Sequence, residues 1–194
     1  MKTKINVLAV LACLALLSFT RAENETWTLD NVHSKLTFSV THLMLSDVVG
    51  SFKSVNATIT TSKTDFSDAV VEMNAQISTL STDNDQRDGH IKSADFLDAE
   101  KYPDLSFKST SFKKEKTANT YTVTGNLTLH GVTKPVTLNV IARTGVNPQN
   151  NKTIGGFKIT GTVNRKDFNV GASIPAAVVS DEISILANGE FVKN

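Results

Sequence analysis

The sequence carries a single cysteine among its 194 residues, Cys13, and that residue lies inside an N-terminal apolar run that reads as a cleaved leader. Past the leader there is no thiol, which excludes disulfide staples, thiolate metal ligands and a cysteine nucleophile. Aromatic residues make up only 7% of the chain, and no apolar run reaches the roughly 20 residues a membrane helix requires. The longest, "VLAVLACLALL" (7–17), follows Lys2 and Lys4 and has the length of a signal-peptide core. Cleavage is expected after Ala22, where Thr20 and Ala22 supply small residues. Lipoprotein processing at Cys13 is disfavoured because apolar residues flank it on both sides. Net charge is scarce too: without residues 1–22 the chain holds 17 basic and 19 acidic side chains, a formal −2. That balance argues against a nucleic-acid partner. Residues 23–194 suffice for one domain with its own core.

Chemical signatures are equally sparse. There is no HExxH, no closely spaced histidine pair and no EF-hand loop, so no metal centre is legible. There is no G-x-S-x-G elbow, and the glycine pair at 155–156 precedes a strand rather than a phosphate-binding helix. His33 precedes a strand and His130 sits in a turn, whereas His42 continues an apolar alternation and is expected to face inward.

What the chain does have is period two. In "SKLTFSVTH", Leu36, Phe38, Val40 and His42 face one way, and Lys35, Thr37, Ser39 and Thr41 the other. The alternation returns in "VNATIT", "VEMNAQI", "YTVTGNLTL", "VTLNV", "FKITGTV" and "ISILANGEF". Hairpin punctuation is expected at "LSDVVGS", "KEKTAN", "HGVTKP" and "GVNPQNNKTIGG". About eight strands with one polar face each imply an all-β fold closed into a barrel, since closure hides the sheet edges. A barrel of that size is either filled by its own side chains or holds one slender ligand. Small inward residues, Ala57, Ala75, Gly125, Gly161 and Ala187, are expected to leave room along the axis. An apolar guest needs no motif: ten buried methylenes contribute on the order of 8 kcal/mol before ordering costs.

Only "DQRDGHIKSADFLDAEKYPDLSF" (85–107) breaks the period. A short helix is expected over about 83–94, with acidic residues first and Lys92 late, as the helix dipole favours. Asp85 and Asp88 lie about 60° apart on such a helix, but His90 falls about 200° beyond Asp88, so no catalytic cluster converges. Asp83 with Arg87, and Asp88 with Lys92, stand at ion-pair spacing on what is expected to be a solvated face.

Five blocks carry a resemblance: "DNVHSKLTFSVTHLMLSDVVGSF" (30–52), "DNDQRDGHIKSADFLDAEKYPDLSFKS" (83–109), "VTGNLTLHGVTKPVTLNV" (123–140), "GTVNRKDFNVG" (161–171) and "VVSDEISI" (178–185). In this order they resemble the YceI-like lipid-binding proteins of bacterial envelopes. The resemblance implies an eight-stranded antiparallel, lipocalin-like β-barrel with one short helical crossover, export to the periplasm, and a long apolar cavity. In relatives that cavity holds a polyisoprenoid or similar lipid, a class that includes isoprenoid quinones, polyprenyl phosphates and fatty-acid derivatives. No cofactor beyond such a ligand is implied, and a membrane partner stays open. The segment "RDGHIKSADFLDAEKYP" then corresponds to the crossover beside the barrel. One departure is the small run "ASIPAA" (172–177), where many relatives carry bulkier residues and a longer loop.

Carried onto this sequence, the resemblance marks Leu36, Phe38, Val40, His42, Phe107, Leu127, Leu129, Phe157 and Ile159 as cavity wall, with His42 placed to meet a polar head group. Three functional outcomes follow: a lipid carrier without chemistry of its own, an enzyme using His42 as acid or base on a barrel-held lipid, or a filled barrel serving as an envelope interaction module.

Overall fold

The computed structural model describes residues 23–194, so the leader, its cleavage site and Cys13 lie outside the described residues. Ten strands follow in chain order: β1 (Glu25–His42), β2 (Ser46–Phe52), β3 (Val55–Thr61), β4 (Val70–Gln76), β5 (Leu80–Ser81), β6 (Asp104–Lys114), β7 (Thr120–Leu129), β8 (Val132–Val146), β9 (Thr153–Asn164) and β10 (Glu182–Lys193). One α-helix, α1 (Asp85–Lys92), and two short 3-10 turns, Ile77–Thr79 and Arg165–Phe168, interrupt them. Every strand pairing is antiparallel, and β10 returns to β1, from Trp27 opposite Lys193 to Ser39 opposite Ser184. β2 runs along the upper half of β1 and β3 along the lower half, so the two share one position in the ring. β4 and β5 share another in the same way. The result is the closed eight-stranded barrel that period two implies.

Three neighbouring strands break at the same height. β1 slips register between Asp30 and Lys35, β2 passes to β3 through Lys53 and Ser54, and β4 passes to β5 through the Ile77–Thr79 turn. The freed backbone groups find partners within this belt: Lys53 N donates to Thr79 O, Ser54 N to the Thr79 hydroxyl, and Gln76 N to Ser54 O. His33, expected ahead of a strand, lies inside β1 at this bulge.

Three turns differ from the punctuation; in "GVNPQNNKTIGG" only 147–152 lie between strands, because β8 runs to Val146 and β9 opens at Thr153. "LSDVVGS" is not a turn but mostly β2, and the chain reverses one step earlier at Leu43 and Met44. Gly50 sits mid-strand, where a Cβ would collide with the Phe38 ring. In "HGVTKP" only His130 and Gly131 turn, both at positive φ, and Val132 already opens β8.

The charged stretch does form a helix, capped by Asn84, whose Oδ1 accepts from Arg87 N at 2.9 Å. It is not simply a solvated face. Asp88 is buried, and its Oδ1 accepts from the Thr82 amide at 2.8 Å and the Thr82 hydroxyl. Burial pushes its carboxyl up, but the Thr82 hydrogen bonds outweigh that and hold it below the usual carboxylate range. Arg87 turns back to the Thr82 carbonyl and hydroxyl. The expected Asp83–Arg87 and Asp88–Lys92 ion pairs therefore give way to a knot around Thr82.

The opposite end is sealed by the 62–69 loop, which delivers Phe66 beneath the barrel. Phe66 meets Trp27 and Phe157 at ring distances of 5.3 Å each, and Phe157 meets Phe191 at 5.3 Å. Asp68 ties this loop by accepting from Ser62 and Thr61, and those bonds lower its carboxyl from 3.8 to about 2. A carboxylate depressed on folding stabilises fully above its unfolded value and loses that contribution as pH falls through the folded one. Fluorescence of Trp27, the one tryptophan, is therefore expected to shift as pH drops from 3.8 to about 2. In Asp68→Asn that acid-range shift should be absent; its persistence would separate Asp68 from the floor.

Candidate functional site

The barrel is hollow. Its interior is a cavity of about 460 Å³, within the range of small-molecule sites, and among the described residues its wall is mostly aliphatic and aromatic. Along β10 the lining side follows the pleat through Ile183, Ile185, Ala187, Gly189 and Phe191, a run of roughly 27 Å of strand. A barrel packed solid by its own side chains is thereby set aside.

All nine positions singled out from the sequence lie on this one cavity. Phe107, Leu127, Leu129 and Phe157 are buried; Leu36, Phe38, Val40 and Ile159 are half-buried because the space they face is open. His42 differs from the expectation of a buried inward histidine. It ends β1 at the rim and is exposed, although its side still borders the cavity. No ion pair among the described residues joins His42 to a carboxylate.

The small residues divide: Ala57 and Ala187 leave room as expected, Ala75 is fully buried away from the cavity, and the glycines act through their neighbours. A Cβ on Gly125 would collide with the Phe107 ring, one on Gly161 with Leu138, and one on Gly50 with Phe38. These glycines do not themselves leave the bore empty. They let large neighbours lie flat against the wall instead of projecting across it, while Ala57 and Ala187 border the space directly.

Several wall residues were not legible beforehand. Ile91 of α1 and Phe96 and Leu97 beyond it close over the rim, so the crossover is part of the cavity and not merely beside it. Their signal was present: three apolar side chains in an otherwise charged run. Val48 and Phe52 were hidden by the misplaced turn. Ile174, Val178 and Val179 come from the segment after the Arg165–Phe168 turn, where no periodicity exists to read.

That segment is organised by Arg165, which is 1% exposed. Asn164 caps the 3-10 turn through Lys166 N, and Asn169 and Gly171 take positive φ to bring the chain back around the guanidinium. Arg165 donates to the carbonyls of Val170, Gly171, Ile174, Val179 and Ser180 and lies 2.8 Å from Asp181 Oδ1. Only the planar, many-donor guanidinium can serve so many acceptors at once. Phe96 packs over Gly171, joining this loop to the α1 side of the rim.

Polar atoms enter the wall in two places. At the belt, Asn31, Ser34, Lys35, Lys53 and Asn188 border the cavity; at the rim, Arg87, His90 and His42 do. Just outside the belt, Asp30, His33 and Glu190 place ligand-type atoms within 4.8 Å of one another, because Asp30 pairs with Glu190 across strands. Sequence spacing cannot show such a cross-strand trio. His33 Nδ1 and Asp30 Oδ2 are 2.9 Å apart, which lowers the Asp30 carboxyl, raises the His33 imidazole and fastens the β1 bulge.

Two consequences can be measured. Arg165→Ala leaves five backbone carbonyls without their donor and Asp181 with only Lys166, at 3.1 Å, and should cost about 3–5 kcal/mol in urea unfolding. Arg165→Lys should recover only part; full recovery would reduce the guanidinium to a simple charge. Gly125→Val should push the Phe107 ring into the bore and weaken retention of an apolar guest about tenfold, or about 1.4 kcal/mol. Unchanged retention would mean that the ring can move elsewhere.

The sequence pattern of the YceI-like domain matches residues 27–191. Protein YceI of Salmonella newport is 36% identical over 162 residues, covering 83% of this chain and 82% of its own. The crystal structure of the Campylobacter jejuni YCEI protein superposes with a TM-score of 0.71 at 28% identity, covering 79% of this chain and 90% of that one. A polyisoprenoid binding domain from Saccharophagus degradans, implicated in plant cell wall breakdown, shares the fold at a TM-score of 0.59 and 16% identity, over 87% of this chain and 98% of that one. Barrel, motif order and extent of match agree: the chain belongs to the YceI-like family.

Proposed function

We propose that this protein is an exported carrier that holds one long apolar lipid, a polyisoprenoid, an isoprenoid quinone or a similar chain, inside its barrel. The observation that carries this reading is the mostly apolar wall that lines the cavity from the Phe157–Phe191 floor to the rim at His42. Such a surface favours hydrocarbon over water without orienting any reacting group. The Saccharophagus degradans neighbour, described as binding polyisoprenoid, supports the choice of guest. The nine residues Leu36, Phe38, Val40, His42, Phe107, Leu127, Leu129, Phe157 and Ile159 would then touch the lipid, with His42 at the level of its polar end. On the same reading, residues 1–22 are a leader removed near Ala22, and 23–194 are the periplasmic or secreted domain.

Native mass spectrometry and solvent extraction of protein purified from its own host should recover a stoichiometric long-chain lipid. Phe38→Asp and Leu127→Asp each place a charge on the wall, and each should reduce co-purified lipid at least a hundredfold. Phe38 is half-buried, so its variant should keep a native strand signal even where Leu127→Asp loosens the core. A folded Phe38→Asp protein with full lipid content would remove that residue from the wall, and wild-type protein free of lipid would sink the carrier.

A further inference from the structure

The β1–β2 hairpin ends in an arrangement that the fold itself does not require. Leu43 and Met44 occupy the two central positions of its turn at φ 51° and 57°, with Leu45 N donating to His42 O at 3.0 Å. Positive φ at both positions is the pattern that Asn-Gly adopts easily and that bulky side chains adopt only with strain. These side chains also cover nothing: Leu43 is 50% exposed, Met44 75% and Leu45 85%. The turn is not loose. Leu43 N donates to Val178 O at 2.9 Å, Thr41 and Ser180 exchange hydrogen bonds, and His42 bridges to Val179. Three apolar side chains are thus held outward on a stiff post, beside the partly exposed Val178.

We infer that this tip is a membrane-contact element, which seats the rim of the barrel on a lipid bilayer by inserting Leu43, Met44 and Leu45. Continuity supports this occupant: the root of the tip, His42, and its partners Val178 and Val179 are themselves cavity wall, so an inserted tip opens the cavity onto hydrocarbon. Size supports it as well. A stable protein partner buries about 800 Å² on each side, more than a few projecting side chains offer, whereas a bilayer accepts a small convex apolar wedge. From His42 to Phe52 the only formal charge is Asp47, which accepts from Thr41, so the tip itself has no cation to attract anionic head groups. Membrane contact rests on the tip alone; its use in loading the cavity rests on the carrier function proposed above.

Flotation with phosphatidylcholine vesicles tests it. The purified protein should float with the vesicles, and equally well in high salt. Combined Leu43→Asn, Met44→Gly and Leu45→Ser should cut partitioning at least tenfold and leave Tm equal or higher. Should the triple variant misfold, Met44→Gly and Leu45→Ser singly should each still lower partitioning. A wild-type protein that does not float, a folded variant that floats as well, or a tip-dependent dimer in sedimentation without vesicle binding would each overturn the inference. Tip-dependent flotation of a protein free of co-purified lipid would sink the carrier while leaving the membrane contact standing. Lipid retention without flotation would do the reverse.

Discussion

The return of β10 to β1 is the pairing on which everything else depends. It runs from Trp27 opposite Lys193 to Ser39 opposite Ser184, and it converts a sheet with two open edges into a wall with an inside. Once the ring is closed, the pleat alone sends every second side chain inward, so the apolar alternation of each strand becomes a single continuous surface. What keeps that surface from filling its own centre is the placement of glycine under large neighbours. Gly50, Gly125 and Gly161 give Phe38, Phe107 and Leu138 somewhere to lie flat. Bulk is therefore present in the wall without blocking the bore.

The two ends of the cylinder are finished by different physics. The floor is aromatic, with Trp27, Phe66, Phe157 and Phe191 in tilted and edge contacts, and a carboxylate knot at Asp68 keeps its loop in place. The rim is built from backbone held by two polar hubs. Thr82 gathers Asp88 and Arg87 at α1, and Arg165 gathers five carbonyls and Asp181 on the far side. Chain that has no periodicity of its own thus acquires a fixed shape around the opening.

Much of this was legible in the sequence because a barrel wall is a repetitive object. Leu36, Phe38, Val40, Leu127, Leu129, Phe157 and Ile159 could be assigned inward from alternation, since the side-chain period in a strand is two wherever the strand lies. Features that depend on long-range contact were not legible. Nothing in "HLMLS" signals a turn, because Leu43 and Met44 lack the chemistry that positive φ prefers. Phe66 sits in a polar loop, and its role at the floor depends on Trp27, nearly forty positions earlier. His42 illustrates the limit of periodicity: the pattern gives its direction but not its depth, and depth decides that it meets solvent. The glycines were legible as small but not as platforms, because the side chain each one supports, Phe38, Phe107 or Leu138, sits on another strand.

The aligned breaks in β1, in β2–β3 and in β4–β5 have a consequence for the kind of molecule that suits the interior. A bulged strand bends, and with the two neighbouring positions breaking at the level of the β1 bulge, the wall departs there from a straight cylinder on that side. On the carrier function proposed above, a guest that follows the wall past this level would do so by flexing, which a supple tail with many rotatable segments does more readily than a stiff plate of fused rings.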